Sequence, residues 1–190
     1  TRGALGVVAA CVIVAGCASK PEGVLIPFDS PITGTSVVNL VVATTRVADE
    51  VDPGFLFSGE RSDEMAFADI SVSIPPDSAR QAGEIQWPRK LPPDPATEFV
   101  TVSASRIDEK AAMARVDAEL SANAAGHVLV FIHGYNNRFE SAVYRLAQIV
   151  HDSDAPVVPV LFTWPSRGKL LAYTYDRESA NFSRDALERL

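Results

Sequence analysis

Two short segments hold the residues with the most chemical promise. The first is His133-Gly134-Tyr135-Asn136-Asn137, which follows the apolar run Val128-Leu129-Val130-Phe131-Ile132. The second is Trp164-Pro165-Ser166-Arg167-Gly168, which closes another apolar run over residues 157–163. A turn directly after a strand can leave backbone N–H groups aimed at a ligand. Donors of that kind stabilise a developing oxyanion by roughly 3–4 kcal/mol each. Gly134 is where such a turn is expected, because glycine permits a geometry that a larger residue resists. His133 could act as a base, but the plainer reading is a loop histidine that braces the turn; it and Asn136 are kept as pocket candidates. Ser166 is a poor nucleophile candidate. It follows Pro165, no helix starts directly after it, and the small flanking residues of a G-x-S-x-G elbow are missing. Arg167 suits either a substrate carboxylate or phosphate, or a surface ion pair. Tyr173, Tyr175, Asp176, Arg177 and Glu178 form a polar and aromatic cluster, with Asp176 read as a helix cap.

These turns need a scaffold, and the spacing of apolar residues predicts one. Residues 128–132 and 157–163 read as continuously buried parallel strands. Between them, Phe139, Ala142, Val143, Leu146, Ile149 and Val150 lie at helical spacing. Asn137 and Glu140 match a capping box at the start of that helix. A last helix is expected from about Asp176, with Ala180, Ser183, Ala186, Leu187 and Leu190 on one side. Strand, helix, strand implies a right-handed crossover. Upstream, residues 37–44 are β-branched. Residues 69–74 and 100–105 alternate with period two, the mark of half-buried strands. A polar loop is expected over 49–64, a proline-rich loop between Pro75 and Pro95, and a mostly solvated helix over 108–123. The fold class read from this order is α/β, an open and mostly parallel sheet with helices on both faces.

Composition narrows the chemistry. The chain has 190 residues, is 47% hydrophobic and 22% charged, and carries a net charge of −7. That is globular and acidic, without the basic patch that nucleic acid requires. Neither G-x-G-x-x-G nor a Walker A sequence occurs, which lowers dinucleotide and nucleotide readings. His127, His133 and His151 stand without ligands at metal spacing, so no metal and no cofactor are expected. The two cysteines, Cys11 and Cys17, both lie in the first twenty residues, so no disulfide is expected in the folded body. Residues 3–18 are nearly all apolar behind Arg2, in the form of an export signal. Val14-Ala15-Gly16-Cys17 resembles a bacterial lipobox, with Cys17 as the lipidated residue. A plain cleaved signal and an uncleaved anchor remain as alternatives. Residues 1–17 are read as a signal segment, 18–36 as a Pro/Gly-rich tether, and 37–190 as the folded domain. Localisation is therefore expected at the bacterial envelope, outer membrane or periplasm-facing.

Several segments, in order, resemble a known family. They are Val41-Val42-Ala43-Thr44-Thr45-Arg46, Ser58-Gly59-Glu60-Arg61, Val72-Ser73-Ile74-Pro75-Pro76 and Gly83-Glu84-Ile85-Gln86-Trp87-Pro88. To these are added residues 130–137, residues 162–168 and Tyr175-Asp176-Arg177-Glu178-Ser179-Ala180. Together they resemble the bacterial α/β-hydrolases of unknown function within the esterase/lipase superfamily. The resemblance implies an amino-terminal part of a serine hydrolase acting on a small-molecule ester or lipid. It implies an oxyanion donor at Gly134 or Tyr135, and a pocket rim at Trp164, Ser166 and Arg167. Nucleophile, acid and base are expected beyond Leu190, so the chain alone is expected to be inactive. An acyltransferase on the same fold, or an inactive envelope lipoprotein using the scaffold for binding, are the rival readings. Oligomeric state is not legible.

Overall fold

Apolar residues on alternate positions of one strand face opposite sides, and the first strand shows what each side meets. In β1 (Ser36–Ala48), Val38, Leu40 and Val42 join one core cluster, whereas Val41 and Ala43 join a second. Such two-sided burial requires cover on both faces of the sheet. The computed structural model describes residues 22–190 apart from Pro53 and residues 123–125. The signal segment and Cys17 therefore lie outside the described residues.

Five strands form one open mixed sheet in the order β3-β2-β1-β5-β4, with β2 at Phe57–Ile74, β3 at Val100–Ile107, β4 at His127–Ile132 and β5 at Val157–Thr163. Helix α1 (Glu109–Ala122) follows β3, and α2 (Phe139–Ser153) links β4 to β5. Two short helices, α3 (Tyr173–Phe182) and α4 (Arg184–Leu187), follow β5. The α/β class is as the sequence predicts, but only β1, β5 and β4 run parallel; β1–β2 and β2–β3 are antiparallel. The antiparallel half needs no helical crossover, and the proline-rich stretch between β2 and β3 supplies none beyond one turn at Asp77–Ala79.

Helix α2 buries Phe139, Ala142, Val143 and Leu146 against one face of the sheet. Each large apolar side chain so buried contributes about 1.5–3 kcal/mol relative to exposure. Helices α1 and α4 cover the other face through Ala112, Val116, Ala186 and Leu187, over Val41, Ala43, Phe67 and Phe162. As expected, α1 is solvated, with Ala112 as its buried residue. None of the helices among the described residues is long and apolar enough to cross a membrane.

Four expectations need correction. The apolar run 128–132 is not buried on both sides. β4 is the sheet's edge; Leu129 and Phe131 pack toward α2, while Val128, Val130 and Ile132 remain 42–45% exposed, the two valines beside a groove of 430 Å³. The polar stretch 49–64 is a loop only to Leu56, because from Phe57 its backbone pairs with the bulged end of β1. The 18–36 segment is no free tether over its described part. Val24 and Leu25 enter the core; Leu25 N–H donates to Gly54 O at 3.2 Å, and Phe28 N–H to Thr101 O at 2.9 Å. Two adjacent apolar side chains are enough to dock the strand of chain around them. Finally, α2 starts at Phe139 with Arg138 at its N-cap and no side-chain cap; Asn137 is drawn instead into the preceding turn.

Candidate active site

The register of β1 against β2 slips twice, between Thr44 and Arg46 and between Arg46 and Ala48. Bulges re-aim side chains, and here residues 43–46 are all buried in succession. Arg46, 1% exposed, is thereby turned into the interior at the carboxyl end of the parallel strands. A buried guanidinium must place all its donors. Its Nε donates to Thr163 Oγ1 at 2.9 Å. Nη1 donates to Ser58 O at 3.0 Å and Ser166 O at 2.9 Å, and Nη2 to Asn137 O at 3.1 Å. Desolvation lowers its pKa to about 10, opposed by the charges of Glu140 and Asp176, so it stays cationic at neutral pH.

Arg46 also fixes the state of His133. Nη2 lies 3.4 Å from His133 Nε2, and a guanidinium can only donate, so Nε2 is the acceptor. The Thr163 hydroxyl, already an acceptor for Arg46, donates to the same nitrogen at 2.9 Å. The proton of the neutral ring then sits on Nδ1 and is donated to Gly134 O at 2.8 Å. In this tautomer the Trp164 carbonyl, 3.1 Å from Nε2, receives no proton from the ring. Burial, then the neighbouring Arg46 charge, push the His133 pKa down to about 4. The ring stacks on Trp164 at 4.7 Å, and Trp164 Nε1–H donates to His133 O at 2.9 Å. His133 and Trp164 are thus internal braces, 4% and 7% exposed, and not walls of an open pocket.

The two turns are joined by one carboxylate. Asp176, 1% exposed, lies inside the first turn of α3 and caps the turns rather than its own helix. Its Oδ2 accepts Asn136 N–H at 3.0 Å and the Ser166 hydroxyl at 2.6 Å, and its Oδ1 accepts Arg167 N–H at 3.0 Å. Ser166 Oγ in turn accepts Asn137 N–H at 3.0 Å. Ser166 is therefore consumed as a clamp. Asn136 holds the positive-φ position of this turn, at 59°, where asparagine is tolerated. Gly134 does not; it lies outside the left-handed region, and a Cβ there would meet nothing within 4 Å. Arg167 pairs with Glu60 at 3.0 Å and lies over the Tyr175 ring at 3.8 Å. Ser166 and Arg167 border a cavity of 140 Å³ shared with Arg46, Phe57, Arg138 and Glu140.

In contrast to Asn136 and Asn137, Gly134 and Tyr135 are exposed, and among the described residues their N–H groups donate to no protein acceptor. Residue-by-residue reading found the two turns but not Arg46 or the organising role of Asp176. A cation ending an apolar β-branched run was the available signal for Arg46, since burial of such a residue demands a polar nest. Among the described residues, no group of three or more His, Cys, Asp or Glu side chains could hold a metal ion.

No curated protein and no solved structure matches the chain. Residues 108–190, which carry both turns, Asp176 and the parallel strands β4 and β5, match the family described as "Alpha/beta hydrolase of unknown function (DUF900)". Over that stretch the chain is similar to an α/β-hydrolase family whose function is not established, and the scaffold holding the two turns is hydrolase-like.

Proposed function

We propose that this chain is the amino-terminal part of an exported serine hydrolase that cleaves small carboxylic esters or lipids. One observation carries the reading: among the described residues no acceptor claims the N–H groups of Gly134 and Tyr135, while the next two in the same turn are clamped by Asp176 and Ser166. A rigid turn presenting free donors at the carboxyl end of parallel strands suits a tetrahedral oxyanion, because no reorganisation is needed as charge develops. Arg46 and neutral His133 hold the turn from beneath, through Asn137 O and Gly134 O. With its pKa lowered to about 4, His133 is no proton acceptor near neutrality.

The residues that would attack the acyl carbon and move the proton are not among these 190. No G-x-S-x-G occurs in the sequence, and Ser166 is buried and bonded to Asp176. The nucleophile strand would add to the free edge of β4 and cover Val128 and Val130, which an open apolar edge favours. The serine would form an acyl-enzyme, with histidine carrying its proton. Cys17 would attach the protein to the envelope by lipid, and the substrate would be an ester or lipid with no nucleic acid or metal involved.

A fluorophosphonate probe tests this on the protein extended past Leu190 along its own gene. A covalent adduct on a serine of a G-x-S-x-G sequence is expected. Replacing the Tyr135 N–H by an ester oxygen should then lower kcat roughly 100- to 1,000-fold, the cost of one oxyanion donor. Absence of any labelled serine, or unchanged kcat in the ester-bond variant, contradicts the reading. The 190-residue chain by itself should not hydrolyse p-nitrophenyl esters.

A further inference from the structure

Beside the candidate oxyanion turn stands a convex tip that no core residue covers. After Gly168 the chain runs through Lys169 into a single turn at Leu170–Ala172 and on into α3. Leu170 is 73% exposed and Leu171 102% exposed, so the latter touches essentially nothing. Scattered single apolar residues on a surface need no explanation, but two adjacent leucines at a projecting turn do. At the base of the tip, Tyr135 and Tyr173 meet edge to face at 5.3 Å and are themselves 38% and 58% exposed. The Tyr135 hydroxyl donates to Leu170 O, and Ala172 N–H to Lys169 O at 2.9 Å. Backbone groups satisfied in this way lower the cost of entering an apolar phase.

We infer that the Lys169–Tyr173 tip inserts shallowly into an anionic lipid bilayer. A protein partner would be expected to use a concave or flat patch that can be ringed against water. A projecting pair of leucines with tyrosines below and a lysine at the shoulder instead matches the layers of a bilayer interface. The leucines enter the acyl region, the rings lie at headgroup level, and Lys169 meets lipid phosphate. That lysine is a local positive charge on a chain of net charge −7.

The path of the chain supports the same orientation. Glu22 pairs with Arg138 at 2.9 Å, and a Cβ at Gly168 would run into Arg138 Cγ, so Gly168 lies against that arginine. Residue 22 is therefore held at the same end of the sheet as the tip. Four residues separate it from Cys17, and five chain steps span at most about 18 Å. The tip reading does not depend on the hydrolase reading. It rests on the membrane-anchor reading of residues 1–17 only for this orientation.

The test uses the full 190-residue chain with vesicles of phosphatidylglycerol and phosphatidylcholine in equal parts, the acyl chains brominated. A tryptophan is added at the tip by Leu171→Trp, or at the far end of the domain by Ser78→Trp, which is exposed near the end of α2. Bromine quenching of the L171W variant should exceed that of S78W several-fold. Adding Leu170→Ser or Lys169→Glu to L171W should reduce it, while binding through the anchor continues. Equal quenching at both positions in protein that floats with the vesicles overturns the tip and leaves the anchor standing. A blue shift at L171W without quenching means that protein covers the tip, and also overturns it. Failure of the chain to float at all overturns tip and anchor together. None of these outcomes bears on fluorophosphonate labelling, so the hydrolase reading stands or falls separately.

Discussion

Two arginines with buried side chains sit at opposite ends of the parallel strands, and they are held in different ways. Arg46, at the carboxyl end, places its donors on Thr163, Ser58, Ser166 and Asn137, and meets neutral His133. Arg80, at the amino end, has a side chain only 3% exposed, yet it relies on two carboxylates, a mostly buried one and an exposed one. It pairs with Asp152 at 2.5 Å and with Asp77 at 3.3 Å, and Asp77 is 83% exposed. Its Nε has no hydrogen-bond acceptor among the described residues. Arg46 is fixed by neutral oxygens drawn from three separate chain segments, so moving it moves the two turns. Arg80 is a pin between α2 and the proline-rich stretch, and His151 shares its exposed carboxylate at 3.2 Å. Enclosure by itself does not make a charge structural; what matters is how many buried partners would be orphaned by its loss.

The sharpest way to break this contrast is to remove each guanidinium. Arg46→Met should cost about 3–5 kcal/mol or prevent folding, because it strands the carbonyls of Ser58, Asn137 and Ser166 in the interior. Arg80→Met should cost less, about 1–2 kcal/mol, since Asp77 can turn to water and Asp152 keeps the Gly83 N–H and the Gln148 amide as donors. Urea denaturation followed by circular dichroism measures both. Equal losses would show that the two ends are held alike.

A second effect is expected from pH. His133 has its pKa lowered to about 4 from an ordinary value of 6.5. The unfolded chain therefore binds a proton that the folded chain refuses between those values. The stabilising contribution is fully present above pH 6.5 and is lost as pH falls through 4, a change of about 3 kcal/mol at most. Glu140 slopes the other way, because burial raises its pKa, and its contribution is lost as pH rises. Comparing wild type with His133→Gln isolates the histidine. The variant should lose the pH 6.5-to-4 component of the slope and keep the rest. An unchanged slope would mean that the ring is protonated as easily in the fold as outside it.

The most local effect should come from Asp176→Asn. The amide keeps an oxygen but sets N–H against N–H at the Asn136 or Arg167 backbone, at a cost of about 2 kcal/mol. Hydrogen exchange should show faster exchange at Asn136 and Arg167. Gly83 N–H, held at the other end by Asp152 at 2.6 Å, should be unaffected. Acceleration at all three sites would mean global loosening rather than release of the clamp.

Much of this was legible in the chain. Runs such as Val157-Val158-Pro159-Val160-Leu161-Phe162 and the stripe from Phe139 to Val150 specify strand and helix through period and branching alone. The strand–turn junctions at 133–137 and 164–168 follow directly from where the apolar runs stop. The edge position of β4 was not legible, because apolar content reports what a strand could bury and not whether a neighbour exists to bury it. Nor could Asp176 be read as anything but a cap. A carboxylate near the start of a helix looks the same whether its oxygens face its own helix or two loops that are near only in space.

What the sequence by itself determined is the order of elements, the helix that crosses from β4 to β5, and the two turns at their ends. These depend on residues within a few positions of one another. Tertiary structure alone decided that Arg46, 87 positions away from His133, would meet it. It also decided that Ser166 would be a clamp instead of a pocket hydroxyl, and that Gly134 and Tyr135 would give their N–H groups to no acceptor among the described residues. Those outcomes turn on which donors and acceptors the fold brings together and which it leaves over, and that accounting closes only when the chain has folded.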